Sequence, residues 1–399
     1  MAELPWLTII GMGEDGPEGL TPASLDALEN AEVVMAPARH LSLLPVKPKR
    51  AIEWPAPFAE GIEVLRDLEG QHVVVLASGD PFWFGAGSVL AREFGNEAWV
   101  ARPGPSCFSL AANHLGWSLE KTLCLGLHAA PLTRLRPHLA SGQQMIVTLR
   151  DGEAPAGLAA YLSDQGFGES TLHVMEALGG PREKCRSFLA SDLSDDLSFT
   201  HPLCVAMYVQ GDGSVLSLTA GQSDDWFEND GQITKRPIRA LTLSALAPRP
   251  EEHLWDIGGG SGSIAIEWLL SDPSVQATSI EADPDRAERI ARNAARLGVD
   301  RLSVVTGTAP EAMDGLPRPH SVFVGGGLTA ELLACLTRLG AGTRLVANAV
   351  TLEAEALLAD AHSTLGGELM RIEIAQAKPL GRKHGWRSAY PIVQWSVKL

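Results

Sequence analysis

The stretch DIGGGSGS, residues 256–263, places one acid, Asp256, ahead of three alternate glycines, Gly258, Gly260 and Gly262. Alternate glycines let a backbone approach a ligand closely, and the helix expected after them offers free N–H groups. The dinucleotide fingerprint G-x-G-x-x-G fails because its last position is Ser263. G-x-G-x-G behind an acid suits a nucleoside that carries an amino acid rather than a pyrophosphate. Glu281 stands 25 residues after Asp256, at the end of the next apolar run, where a carboxylate can accept both hydroxyls of a ribose. A second set of turns lies earlier in the chain: GMGEDG (11–16), ASGDPFWFG (77–85) and PGPSCFSLA (103–111). Each follows an apolar run and gathers small residues at its carboxyl end, where open α/β sheets bind ligands.

Those turns need strands and helices to hold them. LTII, AEVVMA, HVVVLA and EAWVA read as strands separated by helical patterns, which implies a largely parallel sheet. MIVTLR, a helix near 156–165, TLHVMEALGG and PLCVAMYVQ continue the series, so residues 1–210 read as one two-lobed domain. Residues 211–232 are acidic and turn-rich and read as a linker. From 233 a second α/β domain runs to 399: helix TKRPIRALTLSAL, a strand at 253–257, the glycine loop, and strands ATSIEAD, SVVTG, SVFVGGG and TRLVANAV, with helices between them. In PDRAERIARNAARLG the pairs Asp285–Arg289 and Glu288–Arg292 fall at i,i+4 on the polar face. ELMRIEIAQAKPL and YPIVQWSV close the chain as an antiparallel pair.

Composition narrows the classes of partner. Lys and Arg number 32 against 48 Asp and Glu, a net charge of −16, which opposes a nucleic-acid backbone. No apolar run is long enough to span a bilayer, and the start lacks a basic leader. The five cysteines are scattered with no C-x-x-C, so no metal site or disulfide framework is indicated and the cytoplasm is the expected compartment. The eleven histidines show no metal spacing. A homo-oligomer is expected.

With Glu281 in place, the later half resembles the class I S-adenosylmethionine (SAM) methyltransferases. The resemblance implies cofactor contacts at Thr234, Asp256, Gly258, Gly259, Gly260, Ser261, Gly262, Glu281, Thr308 and Ala309, with GTAPE (307–311) near adenine. The Asn/Asp-Pro-Pro-Tyr/Phe motif of base methylases is absent after the fourth strand, where VGGGL stands, so a carbon acceptor is expected. The earlier turns, with EALGGPRE (176–183), resemble the tetrapyrrole methylases, a different SAM-binding fold. They imply contacts at Gly11, Gly13, Ser78, Gly79, Asp80, Gly85 and Ser106. Together the two halves, with TKRPIRALTLSALAPRP, LVANAVTLEAEALL and GWRSAYPIVQW, resemble the fused decarboxylating methyltransferases of cobalamin biosynthesis. That family implies one SAM per domain, a small tetrapyrrole substrate, methylation of two meso carbons, and loss of CO₂ from the ring C acetate. It assigns C5 methylation to the first domain, and C15 methylation with decarboxylation to the second. The chain departs from it at LHAAP (127–131), for a common His-Gly-Arg-Pro run, and at GRKHGW (381–386), for GGMTGW.

Such a substrate supplies its own nucleophilic carbon, so orientation and desolvation are the protein's task and no catalytic nucleophile is assigned. Its carboxylates call for arginine or lysine. The candidates are Lys235, Arg236 and Arg239, and Arg382, Lys383 and Arg387 beside His384. His128 and His384 are acid–base candidates. A fused nicotinamide oxidoreductase is opposed by the broken fingerprint, and a non-enzymatic SAM sensor by the presence of two different SAM folds.

Overall fold

The computed structural model describes residues 5–194 and 196–399; the first four residues of the start, on which the leader expectation partly fell, lie outside them. The chain divides into two compact units, Met1–Pro131 with Leu139–Ser214, and Leu132–His138 with Val215–Leu399.

In the first unit, strands β1 (Leu7–Met12), β2 (Val33–Ala36), β3 (Ala51–Glu53), β4 (Val73–Ser78) and β5 (Trp99–Arg102) form a sheet in the order β3-β2-β4-β1-β5. All its pairings are parallel. Strands covered on both faces favour apolar residues at successive positions rather than alternate ones, which is why LTIIGM and VVVLAS are nearly continuous apolar runs. Ile9 and Val75 enter one apolar cluster, Ile10 and Leu76 the opposite one. A second sheet runs β6 (Leu123–Gly126), β7 (Gln144–Thr148), β10 (Leu203–Tyr208), β8 (Thr171–Glu176), β9 (Lys184–Leu189). Only its β6–β7 pair is parallel. Helix Cys107–Leu115 starts where the Ser106 hydroxyl accepts the Ser109 N–H at 3.1 Å. It buries Phe108, Ala111 and Ala112 against Ile146, Met175 and Ala206 of the second sheet.

The second unit is one seven-stranded sheet built from β11 (His253–Ile257), β12 (Gln276–Glu281), β13 (Ser303–Thr306), β14 (Ser321–Val324), β15 (Arg344–Ala349), β16 (Glu368–Ile372) and β19 (Ile392–Lys398), with a hairpin of β17 (Ala375–Leu380) and β18 (Lys383–Ser388). The order is β13-β12-β11-β14-β15-β19-β16, and only β19 runs against its neighbours. The order reverses direction beside β11, the switch point at which open α/β sheets leave a crevice for a ligand. The glycine turn follows β11 and leads into helix Ser263–Ser271, whose Ile264, Ala265, Ile266, Trp268 and Leu269 are all buried. Asp283 caps helix Pro284–Arg296 by accepting the Asp285 and Arg286 N–H groups.

Three details differ from the sequence reading. Within the stretch expected as a linker, Leu216 and Phe227 are buried in the core of the second unit beside Leu246 and Trp268, and the main segment of that unit begins at Val215. The expected closing pair forms as β16 on β19, but the long run ELMRIEIAQAKPL breaks after Ile372: β17 leaves the sheet and pairs with β18. The break falls where burial stops, since Ile372 is buried and all six residues of β17 are exposed. Glu288–Arg292 forms at 3.7 Å, whereas Arg289 reaches across to Asp230 at 3.1 Å instead of pairing with Asp285.

Candidate active sites

The carboxyl ends of β1 and β4 open into a cavity of about 550 Å³ in the first unit. Of the expected residues, Gly13, Ser78, Gly79, Asp80, Gly85 and Ser106 line it, as does His128. Gly11 sits behind the wall. A Cβ there would lie 1.8 Å from the Gly79 carbonyl oxygen and 2.5 Å from the Gly104 nitrogen, so Gly11 is required for backbone-to-backbone packing. Asp80 accepts the Phe82 N–H at 2.9 Å and so shapes the turn that begins at Pro81. His128 faces the Thr148 hydroxyl at 3.2 Å.

Four polar residues that the sequence reading did not single out tie these turns together. Glu14, in GMGEDG, is buried and paired with Arg39, and it accepts from Arg182 at 2.7 Å. Arg39 also donates to the Ser78 hydroxyl at 2.7 Å. One carboxylate thereby links the first turn, the segment after β2, the Ser-Gly-Asp turn and the EALGGPRE stretch. His40, against Arg39 and Ser78, is held down to about 3 by burial and by the Arg39 charge, so it stays neutral. Arg39, Arg150 and His201 also line the cavity, beside the acids Glu14 and Asp80 and among apolar and aromatic side chains. The Glu14–Arg182 contact joins positions 168 residues apart, which no local pattern announces.

In the second unit Gly258, Gly260 and Gly262 all have left-handed backbones, at φ 70°, 60° and 76°. Side chains would strain all three. At Gly258 a Cβ would also press to 3.0 Å of the Gly326 backbone, so the VGGG loop after β14 closes on the glycine turn. Gly259 packs against Ser279, and Ser261 is buried with a hydroxyl that has no hydrogen-bond partner. Glu281 ends β12 beside this cradle. Its two oxygens accept the Gly260 N–H at 2.8 Å and the Asp283 N–H at 3.0 Å. Asp256 is wholly buried, accepts the Ala265 N–H at 3.3 Å, and is lifted to about 7 by burial. Thr308 and Ala309 follow β13, held close by the Gly307 N–H, which donates to the Glu281 carbonyl at 2.9 Å. The cradle, its acid and the orphaned hydroxyl fit an amino-acid-bearing nucleoside.

The cation candidates separate into three groups. Lys235 and Arg236 are exposed; Lys235 lies 3.8 Å from Asp224. Arg382, Lys383, His384 and Arg387 are exposed on the β17–β18 hairpin. Arg239, expected to bind substrate, is corrected: its side chain is fully buried, paired with Glu267 and 3.1 Å from Asp224. It also donates to the Gln222 carbonyl at 2.6 Å and to the Thr234 carbonyl, and lies 4.8 Å over the Phe227 ring. A guanidinium used up in this way fastens residues 222–234 to helix Ser263–Ser271 and has nothing left for a ligand. The Thr234 carbonyl is thereby engaged as well. Among the described residues, no group of acids, histidines and cysteines could hold a metal ion, and no helix is long and apolar enough to cross a membrane.

Two family models match the chain: "Tetrapyrrole (Corrin/Porphyrin) Methylases" over residues 6–194 and "Precorrin methyltransferase domain" over residues 225–399. The chain is 48% identical to a precorrin-6Y C(5,15)-methyltransferase [decarboxylating] of Sinorhizobium sp, over 98% of this chain and 96% of that protein. It is 32% identical to a cobalt-precorrin-6B C(15)-methyltransferase (decarboxylating) of Salmonella typhimurium, over 40% of this chain and 85% of that protein. A crystal structure of the C-terminal domain of precorrin-6Y C5,15-methyltransferase from Rhodobacter capsulatus is 51% identical, with a TM-score of 0.45, covering 46% of this chain and all of that one.

Proposed function

The chain belongs to the family of decarboxylating precorrin-6Y C5,15-methyltransferases of cobalamin biosynthesis, and from that premise we propose how its two units share the work. The reaction is SAM-dependent methylation of meso carbons C5 and C15 of a reduced precorrin-6, with loss of the ring C acetate carboxyl as CO₂, yielding precorrin-8. Our reading is that each unit holds one SAM, that the first unit methylates C5, and that the second methylates C15 and decarboxylates. The observation that carries it is the presence of two separate ligand cradles, each at the carboxyl ends of its own parallel strands. The Salmonella relative supports the division, because its printed name joins C15 methylation to decarboxylation and its 172 matched residues are about the length of the second unit.

SAM supplies an electrophilic methyl on a sulfonium. The chain's residues do the rest by placement. Gly258–Gly262 and the acid Glu281 would hold the cofactor in the second unit, with Thr308 and Ala309 at its base. Gly13, Ser78, Gly79, Asp80, Gly85 and Ser106 line the corresponding wall in the first. In the first unit the apolar and aromatic part of the cavity wall would exclude water, so the reacting carbon would meet the methyl in one orientation with little hydration. Lys235, Arg236, Arg382, Lys383 and Arg387 would bind peripheral carboxylates of the macrocycle. The ring conjugation takes up the electron pair left by CO₂, so the second unit needs only to hold one acetate in a poorly solvated place. We place the enzyme in the cytoplasm, a reading supported by its five free thiols. We also propose a homo-oligomer, supported by the exposed Leu380, Trp386 and Tyr390 on and beside the hairpin.

Mass spectrometry of tetrapyrrole incubated with enzyme and SAM tests the whole. The expected product has gained two methyls, about 28 Da, and lost CO₂, about 44 Da, from the elementary masses of the transferred groups. Substrate recovered unchanged would refute the reading.

A further inference from the structure

Three consecutive aromatics, Phe82, Trp83 and Phe84, follow Asp80-Pro81 and are 43%, 37% and 50% exposed. Trp83 and Phe84 line the first-unit cavity. Beneath them lies Phe108, 1% exposed, at the start of helix Cys107–Leu115. Trp83 stacks on it at 5.1 Å between ring centroids and Phe84 leans on it at 5.8 Å. Phe84 has a left-handed backbone, φ 56°. A bulky residue in that region is strained, and such strain persists where surrounding structure holds a side chain in a required place. Gly126 makes room for it: a Cβ there would lie 2.8 Å from the Phe84 ring. Burial of Phe84 cannot be what maintains the strain, since half of its surface is open. What the strain achieves is aim, turning a large ring toward the cavity beside Trp83. Trp54 and Phe58, stacked at 4.6 Å, line the same cavity.

A conjugated macrocycle with apolar faces is the ligand such rings suit, through stacking and edge-to-face contact. Arg150 and His201 in the same lining can meet its carboxylate rim, Arg39 being taken up by Glu14 and Ser78. We propose that Phe84 and Trp83 seat the face of the tetrapyrrole in the first-unit cavity and so determine which meso carbon meets the methyl donor there. The inference rests on the reading that this unit methylates the tetrapyrrole. In it, the Trp83 and Phe84 rings contact substrate, whereas the cofactor lies against Gly13, Ser78, Gly79 and Ser106.

The test uses the full chain with Phe84→Gly, which removes the ring and relieves the left-handed strain, so folding is not penalised by the backbone. Trp83→Leu is the second variant and Phe84→Tyr the conservative one. Calorimetry should find SAM affinity at both sites within about twofold of the parent, and the first unit's melting transition should not fall in Phe84→Gly. Steady-state kinetics of C5 methylation should show KM for the tetrapyrrole raised at least tenfold in Phe84→Gly and Trp83→Leu, with Phe84→Tyr close to the parent. C15 methylation should be unchanged in all three. C5 methylation with unaltered KM and kcat in Phe84→Gly and Trp83→Leu would overturn the inference. So would loss of SAM binding with tetrapyrrole KM intact, which would assign the rings to the cofactor. A parent enzyme that adds no methyl at C5 would instead refute the reading on which the inference rests.

Discussion

Glu281 is the residue whose role can be checked most directly. Its oxygens hold the Gly260 and Asp283 N–H groups, yet a carboxylate has further lone pairs to offer a ribose. Hydrogen bonds to a charged acceptor contribute about 1.5–3 kcal/mol each. Glu281→Ala should therefore weaken SAM binding at the second-unit site at least tenfold by calorimetry and leave the first site unchanged; unaltered affinity would mean the ribose is held elsewhere. Asp256 sets a pH dependence. Its carboxyl is lifted to about 7 by burial, above the value of about 3.9 for a free aspartate. The folded state thus binds the proton more tightly than the unfolded one. The stability this contributes is fully present below about pH 4 and is lost as pH rises through about 7. Asp256→Asn removes that dependence, so calorimetric melting of the second unit should shift in the variant's favour between pH 5 and pH 8. A variant–parent difference constant with pH would show that Asp256 is ionised throughout. Asp256 and Glu281 stand out in the sequence because they lie at or next to the end of a strand beside a recognisable turn. Glu14, Arg39 and Arg182 do not, because their meaning lies in contacts between distant segments.

Elements were legible wherever burial imposed a period. Helix Arg236–Leu246 carries Ile238, Leu243 and Leu246 on its buried side, and its residue pattern announces as much. The same helix misled the reading of Arg239, since a basic residue near a cofactor loop resembles an anion site. Its actual partner Glu267 sits 28 residues away, and two of its other acceptors, Gln222 and Asp224, come from a stretch that looks like linker. Removing one member of a buried ion pair costs about 3–5 kcal/mol, because the other is left uncompensated. Arg239→Met should lower the urea stability of the second unit by that order while KM for the tetrapyrrole stays near the parent's. A raised KM with unchanged stability would restore Arg239 as a substrate residue. The β17–β18 hairpin was misread for the opposite reason. Its exposed faces give no burial pattern to mark where the central sheet ends and the excursion begins.

The whole molecule is two units, and the boundary between them decides what can be cut out. A fragment beginning at Val215 keeps Leu216, Phe227 and the Gln222 and Asp224 acceptors of Arg239; one beginning at 233 loses them. Residues 215–399 expressed alone should fold, bind one SAM and give a product about 14 Da heavier by methyl and about 44 Da lighter by CO₂. The shorter fragment should melt at lower temperature. A folded, SAM-bound 215–399 fragment that methylates without decarboxylating would refute the division of labour. Trp386, 79% exposed, stands on the hairpin with Leu380 at 70%. Trp386→Glu should lower the sedimentation mass of the full chain if copies meet there, and an unchanged mass would place the interface elsewhere. The packing of Gly11 against Gly79 and Gly104 bears on how any survey of substitutions across the chain is read. At Gly11 every side chain collides with backbone, so every amino acid other than glycine should abolish C5 methylation. Scored by growth alone, that position would look like the heart of the chemistry, although it stands behind the cavity wall. Sensitivity to replacement there measures how closely three loops are stacked, and only a binding assay separates that from contact with SAM.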